Sequence, residues 1–254
     1  MYYIDSGIAS WAYLIFSLFL FLSLYITFGV KFSNQKKELN RLLKIKYSQL
    51  EILSSIYATL EIKKPLPATG IWAADPDFLR RITDLFFQNQ PKLIVEASSG
   101  VSSIVLGYCC KKMGVGKVMS LEHDLKYQKI SQALIEEHEL QDYVEIVYAP
   151  LMTHQIKGKD WEWYDVSSLD NYSGIDMVVV DGPPFYLQKY SRYPVVPLLY
   201  DKMSDYSVLM LDDGIRQEEK DIAEIWSDDY KDISTEYLDL ISGAILATRN
   251  RRDN

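Results

Sequence analysis

From Ser6 to Val30 the chain carries no charged side chain, and Leu14–Leu24 is almost wholly Leu, Phe and Ile. A helix rises about 1.5 Å per residue, so about 20 such residues cross the roughly 30 Å hydrocarbon core of a bilayer. Trp11 and Tyr13 stand near one end of the run, Tyr25 and Phe28 near the other, where aromatic rings suit the interface. A cleaved signal peptide needs a basic flank and a shorter apolar core, and the flank Met1–Asp5 holds an acid and no base. The pattern therefore predicts a transmembrane anchor over residues 1–30. A buried core helix is the weaker reading, since few core helices lack charge for so long.

The next stretch changes period. Leu39, Leu43, Leu50, Leu53, Tyr57 and Leu60 follow alternating spacings of four and three, interrupted at Lys46. That is a helical stripe, placed over residues 34–62 of a linker spanning 31–64. It suits a short coiled coil that makes a homodimer through residues 39–60, and equally a face packed on the domain that follows. Pro65, Pro67 and Gly70 end it and open a domain over 65–254.

In that domain short apolar runs alternate with helical stretches. Strands are expected at Lys92–Val95, Lys117–Leu121, Tyr143–Tyr148, Ile175–Val180 and Ser207–Leu211. Helices are expected at Val101–Met113, Leu125–Leu140, Pro194–Ser204 and Gln217–Trp226. Ile233–Leu240 and Gly243–Thr248 close the chain as two strands with no helix between them. Alternating strand and helix imply a parallel sheet covered on both faces, and the tight final pair implies one antiparallel strand. The expected class is α/β.

Composition bounds what such a chain does. Its 254 residues are 48% hydrophobic and 24% charged, which suits one core of roughly 150–200 residues plus an appendage. Cys109 and Cys110 are adjacent and far too few for a disulfide scaffold, and no Cys/His cluster suggests zinc. The net charge of −8 argues against a nucleic-acid partner. The charge is also uneven. Residues 1–64 hold eight bases and four acids, a balance of +4, which leaves −12 for the rest. Lys31, Lys36, Lys37, Arg41, Lys44 and Lys46 all follow the apolar span, so the positive-inside rule predicts a cytoplasmic C-terminal part.

Ligands of parallel sheets bind beyond the carboxyl ends of the strands. After the first strand comes Glu96-Ala-Ser-Ser-Gly100-Val-Ser-Ser103. Small residues there let backbone approach a ligand, and a helix N-terminus suits an anionic group. The run lacks the glycine fingerprint of dinucleotide sites, which disfavours a nicotinamide oxidoreductase. Glu122-His123-Asp124 follows the second strand, where an acid can accept both hydroxyls of a ribose. Asp181 follows the fourth strand, and Asp212 and Asp213 the fifth. Carboxylates gathered at neighbouring strand ends repel unless something positive lies between them, and Mg²⁺ held by Asp181, Asp212 and Asp213 would answer that need. Tyr186, Tyr190, Arg192 and Tyr193 fall in a loop expected to cover an acceptor.

These segments carry a resemblance. Glu96–Ser103 resembles the first motif of class I S-adenosylmethionine-dependent methyltransferases, with Ser98 where that motif has glycine. Ser120-Leu-Glu122-His-Asp124 resembles their second acidic motif. Ala149-Pro150-Leu151, Val180-Asp-Gly-Pro-Pro184, Arg192-Tyr-Pro194, Leu211-Asp-Asp-Gly-Ile-Arg216 and the approach segment Gly70-Ile-Trp72-Ala-Ala-Asp75-Pro76 resemble a bacterial subgroup, the methyltransferase family 24 type. The similarity covers about residues 66–250. It implies a Rossmann-like sheet of seven strands with the last antiparallel. It implies that Glu96, Ser98, Gly100, Ser102 and Ser103 cradle the methionine part of S-adenosylmethionine, that Glu122 holds the ribose and that Asp181 lies beside the sulfonium. Asp181, Asp212 or His123 would serve as base toward an acceptor hydroxyl. With the anchor, it implies an inner-membrane enzyme acting on a small molecule, a sugar or a lipid-linked glycan. The other class of function is a non-catalytic, membrane-anchored interaction protein on a degenerate methyltransferase fold.

Overall fold

The computed structural model describes residues 6–70 and 73–251. The acidic flank Met1–Asp5 and Trp72 of the approach segment lie outside the described residues. Helix α1 runs without a break from Ser6 to Leu60, so the apolar run and the leucine stripe share one element. No proline falls between them, and a glycine such as Gly29 is tolerated inside a helix at a cost of about 1 kcal/mol. The chain divides into two compact units, Met1–Leu50 and Glu51–Asn254.

In the first unit the large apolar side chains from Trp11 to Phe32 are 52–78% exposed. This helix is long and apolar enough to cross a membrane. Leu39, Leu42, Leu43, Tyr47 and Leu50 are exposed as well. The stripe behaves differently in the second unit, where Ile56 and Leu60 are buried and Ile52 and Tyr57 pack against the same core. The Tyr57 hydroxyl accepts from the Leu66 backbone N–H at 2.7 Å, which fixes the chain after the helix ends.

The second unit is built on seven strands: β1 Leu93–Ala97, β2 Lys117–Glu122, β3 Val144–Tyr148, β6 Ile175–Val180, β7 Met203–Asp212, β8 Ile233–Leu238 and β9 Ala244–Asn250. Their order is β3-β2-β1-β6-β7-β9-β8. Six run parallel, and β9 is antiparallel between β7 and β8. Along β6, Met177 and Val179 join one core cluster and Val178 and Val180 the other, as the period of two requires. Helices α2 (Pro76–Asn89), α3 (Val101–Met113) and α4 (Leu125–Glu137) supply the first cluster, and α5 (Val195–Leu199) and α6 (Gln217–Asp229) the second. Strand order reverses between β1 and β6, which places a crevice beyond their carboxyl ends.

Three elements depart from expectation. The expectations above leave Pro76–Asn89 unassigned, although Phe78, Leu79, Ile82, Leu85 and Phe86 have helical spacing and are all buried. Two further strands, β4 Leu151–Ile156 and β5 Lys159–Tyr164, form a separate antiparallel hairpin. Its two-residue turn is Lys157-Gly158, both at positive φ. Lysine is a poor marker for such a turn, so the hairpin left little trace in the sequence. Pro194–Ser204 is helical only as far as Leu199 and one further tight turn, because Met203 already pairs with Ile175 at the start of β7.

Candidate functional site

A cleft of about 500 Å³ opens beyond the carboxyl ends of β1, β2, β6 and β7. Its lining includes Ser98, Ser99, Glu122, His123, Asp181 and Arg192, and also Asp212, Asp213, Arg216 and Tyr164. Of the residues expected at a site, Ser98, Glu122, His123, Asp181, Asp212 and Asp213 thus meet in one place.

Glu96, Ser102 and Ser103 do not reach it. All three are buried. The Glu96 carboxylate takes hydrogen bonds from Ser102, Ser103 and Ser120 instead. Burial pushes its pKa up to about 7, against the pull of those hydroxyls. Ser103 Oγ also accepts from the Gly100 backbone N–H at 3.0 Å, so this cluster braces the β1–α3 turn from behind. Gly100 is absent from the cleft lining. The turn needs Ser98 at φ 106°, a conformation that favours glycine. Its backbone is anchored on both sides: N–H to Leu121 O at 3.0 Å, and O from Ser120 Oγ at 3.1 Å.

Glu122 ends β2 with its carboxylate facing the cleft. Oε2 accepts from Ser99 Oγ at 2.8 Å and Oε1 from the Asp124 backbone N–H at 3.0 Å. Burial works to raise its pKa, but His123 and these hydrogen bonds outweigh it, and the net shift is downward. Glu122 is therefore an ionised acceptor at neutral pH. A carboxylate has about four lone-pair sites, so two remain for a ligand's hydroxyls. His123 Nδ1 lies 3.3 Å from Glu122 Oε1, and its ring meets Tyr164 edge-on.

The far side of the cleft is ionic. Arg192 is only 3% exposed and sits between the ends of β6 and β7. Its Nη2 donates to Asp181 Oδ1 at 3.1 Å, Asp213 Oδ2 at 2.8 Å and Asp181 O at 3.2 Å, while Nη1 donates to Asp212 O at 2.9 Å. Arg216 Nη1 pairs with the same Asp213 oxygen at 2.9 Å and lies 3.6 Å from the buried Glu219. Burial raises Asp181 to about 6, with Arg192 pulling the other way. Asp212 goes further, to about 8, because burial is joined by repulsion from Asp181 and Asp213. Asp212 thus stays largely protonated at neutral pH while its neighbours are paired.

Arg192 and Tyr193 correct the expected covering loop. Both are buried under it, since Arg192 is drawn to the strand-end acids and Tyr193 packs against Trp161 with its carbonyl accepting from Trp226 Nε1. Tyr190 is partly buried, its hydroxyl donating to Asp221 at 2.9 Å. Of the four expected residues Tyr186 is the exposed one, and it forms the rim with Phe185, paired edge to face, with Arg216 stacked 4.5 Å over Phe185.

Sequence reasoning missed Tyr164. The residue is 1% exposed, ends the unforeseen hairpin and lines the cleft. A Cβ on Gly182 would stand 2.3 Å from its hydroxyl, so the Asp181-Gly182 turn and Tyr164 require each other. The run Trp161-Glu-Trp163-Tyr164 was the available signal.

The fit of two groups can be read from these contacts. A cationic ligand fits, because Asp75, Glu122, Asp181, Asp212 and Asp213 line the cleft against Arg192 and Arg216. A divalent ion on Asp181, Asp212 and Asp213 does not. A buried guanidinium already lies between the oxygens that would bind it, and no metal-binding group of three is found among the described residues. A second cavity, of about 610 Å³, is lined by Lys63, Lys64, Lys111 and Lys112. Lys64 and Lys111 cap the carbonyls of Glu137 and Glu139 there, and Lys112 pairs with Glu61.

No protein-family model matches the chain, and no curated protein matches its sequence. Solved structures do match its fold. A methyltransferase from Geobacter sulfurreducens aligns at TM-score 0.54 and 14% identity, over 78% of this chain and 89% of its own. An O-methyltransferase from Bacillus cereus in complex with SAH aligns at 0.54 and 19%, over 80% and 91%. An O-methyltransferase from Streptomyces achromogenes in complex with SAM aligns at 0.53 and 16%, over 79% and 90%. At these identities the likeness is one of fold: a Rossmann-like, mostly parallel sheet of seven strands.

Proposed function

We propose that this chain is an S-adenosylmethionine-dependent O-methyltransferase held at a membrane by its N-terminal helix. The observation that carries the reading is the pairing of an ionised Glu122 at the end of β2 with Asp181 at the end of β6, both open to one cleft at the reversal of strand order. Fold neighbours crystallised with SAM and SAH support it.

Bound there, S-adenosylmethionine supplies a methyl group on a positively charged sulfur. Glu122 accepts the ribose hydroxyls through its two spare lone-pair sites. The Ser98–Ser99 turn, braced by Glu96, Ser103 and Gly100, meets the methionine part with its backbone. Asp181 presents carboxylate charge to the sulfonium. The rest of the task is alignment of an acceptor oxygen and exclusion of water. Phe185 and Tyr186 offer aromatic faces that suit a sugar ring, which favours a sugar or lipid-linked glycan hydroxyl as acceptor. His123 takes the acceptor's proton, since it lines the cleft and Asp212 holds its own.

Helix α1 is read as a single inner-membrane span with the second unit on the cytoplasmic side, supported by the six bases after it. Protease added to right-side-out vesicles should leave the second unit intact, and its digestion would reverse the orientation. The exposed leucines Leu39, Leu43 and Leu50 support a homodimer through the first part of the stripe. Calorimetry with SAH tests the activity reading. Binding to the full chain is expected, and its absence would favour a non-catalytic interaction protein, a reading that the strained Ser98 makes worth testing.

A further inference from the structure

Arg192 occupies a place in the cleft that a metal ion would otherwise be expected to fill. It is 3% exposed, and its two terminal nitrogens make four hydrogen bonds that tie the end of β6 to the end of β7. The two side-chain acceptors, Asp181 Oδ1 and Asp213 Oδ2, belong to acids that a strand-end metal would bridge. Asp213 Oδ2 already serves Arg216 too, at 2.9 Å. Mg²⁺ requires oxygen ligands at about 2.0–2.1 Å in octahedral array. An ion drawn to these oxygens would meet a desolvated guanidinium between them, and a like charge at that range is strongly repelled in a buried site.

We propose that Arg192 is the resident cation of this cleft: its guanidinium holds Asp181 and Asp213 at the strand ends in place of a divalent ion, and excludes one. A guanidinium donates hydrogen bonds in a plane and has no vacant coordination position. It can therefore position Asp181 but cannot bind an acceptor oxygen or lower its pKa as a Lewis acid would. Activation of the acceptor then falls to a side chain. The ion-binding part stands on the carboxylates and Arg192 alone, while the consequence for methyl transfer rests on the function proposed above.

The test is Mn²⁺ binding to the full chain in detergent, followed by electron paramagnetic resonance. The native chain should leave Mn²⁺ free in solution, with or without SAH. Arg192→Ala removes the guanidinium and leaves the acids to repel one another, so it should acquire a Mn²⁺ site that Asp213→Asn abolishes in the double variant. Arg192→Lys, which restores a positive charge, should bind none. Should Arg192→Ala not fold, Arg192→Met keeps the volume of the stem and serves the same purpose. A Mn²⁺ site in the native chain that Asp213→Asn removes would overturn the proposal. So would Arg192→Ala binding no more Mn²⁺ than the native chain, since something other than Arg192 would then exclude the ion. SAH titration in EDTA separates this from the function itself: a chain that never binds SAH refutes the methyltransferase reading and leaves the Mn²⁺ result standing.

Discussion

The two sides of the cleft bury carboxylates in opposite ways. Behind β1, Glu96 makes no ion pair among the described residues and takes its hydrogen bonds from serine hydroxyls, so burial lifts its pKa to about 7. At the ends of β6 and β7, Asp181 and Asp213 share Arg192, and Glu219 lies near two arginines. The first arrangement adapts by keeping a proton alone, whereas the second imports a charge and keeps a proton on Asp212 beside it. A proton can leave without moving any side chain, whereas a guanidinium cannot. The β1 side should therefore respond to pH alone, and the β6–β7 side to substitution of its guanidinium as well.

Removal of Arg192 should have the largest effect. Breaking a buried pair leaves uncompensated charge and typically costs about 3–5 kcal/mol. For a unit of this size that corresponds to a fall in Tm of about 10 °C. Arg192→Ala measured by thermal unfolding at pH 7 should show it. Part of the loss should return near pH 5, where Asp181, with a folded pKa of about 6, holds a proton and no longer needs the guanidinium. A fall of less than about 1 kcal/mol would mean that the ionic side is no more than a surface network.

On the β1 side the pH response belongs to Glu96. Its folded pKa lies above the unfolded value of 4.5, so the folded state holds the proton more tightly. The stability this linkage provides is complete below pH 4.5, is lost as pH rises to about 7, and is constant above that. The range corresponds to about 3 kcal/mol. Glu96→Gln keeps the shape without the titration. The difference in unfolding free energy between native and variant should shift in the variant's favour by about that amount between pH 4.5 and 7. Parallel curves would show that Glu96 titrates as it does in the unfolded chain.

Glu122 is the acid that stays ionised, and its loss should fall on binding. Glu122→Ala should weaken SAH by about 1.5–3 kcal/mol, or roughly 10- to 150-fold, through the missing charged acceptor. Glu122→Gln keeps an acceptor oxygen and should lose less. Equal binding in native and Ala forms, with the fold intact, would leave Glu122 a structural acceptor for Ser99 and Asp124.

The contrast between the two sides also marks what could be read from the chain. The β1 side was legible because its residues are close in sequence: Glu96, Gly100 and Ser103 span one turn, and Glu122 ends the next strand. What could not be seen was that Glu96 and Ser103 turn inward, a choice made by Ser120 on the neighbouring strand. On the β6–β7 side the acids and the need for a positive charge were visible, but its source was not. Arg192 lies in a loop whose path is set by packing of Tyr193 on Trp161 and Trp226, and Trp161 belongs to a hairpin with no turn signal. Local pattern found the strands because burial repeats every two residues. It could not find a contact between positions twenty residues apart that depends on where a loop folds back.

The smallest expected effect concerns the one residue at which the β1 side is strained. Ser98 sits at φ 106°, outside the region that a side chain with a Cβ adopts freely, and such a position costs about 1–3 kcal/mol. Glycine would relieve that strain but would lose about 0.5–1 kcal/mol more backbone entropy on folding. Ser98→Gly should therefore stabilise the unit by about 1 kcal/mol, a rise in Tm of about 2–4 °C. The Ser98 Cβ also lies 3.1 Å from the position that a Cβ on Gly182 would take, so the two turns nearly touch across the cleft floor. A smaller residue at 98 leaves that contact looser without moving Glu122 or Asp181. SAH affinity should then hold or improve while stability rises. A chain that binds SAH only as Ser98→Gly would instead show that the serine closes the turn against the ligand, and the fold would be serving some purpose other than methyl transfer.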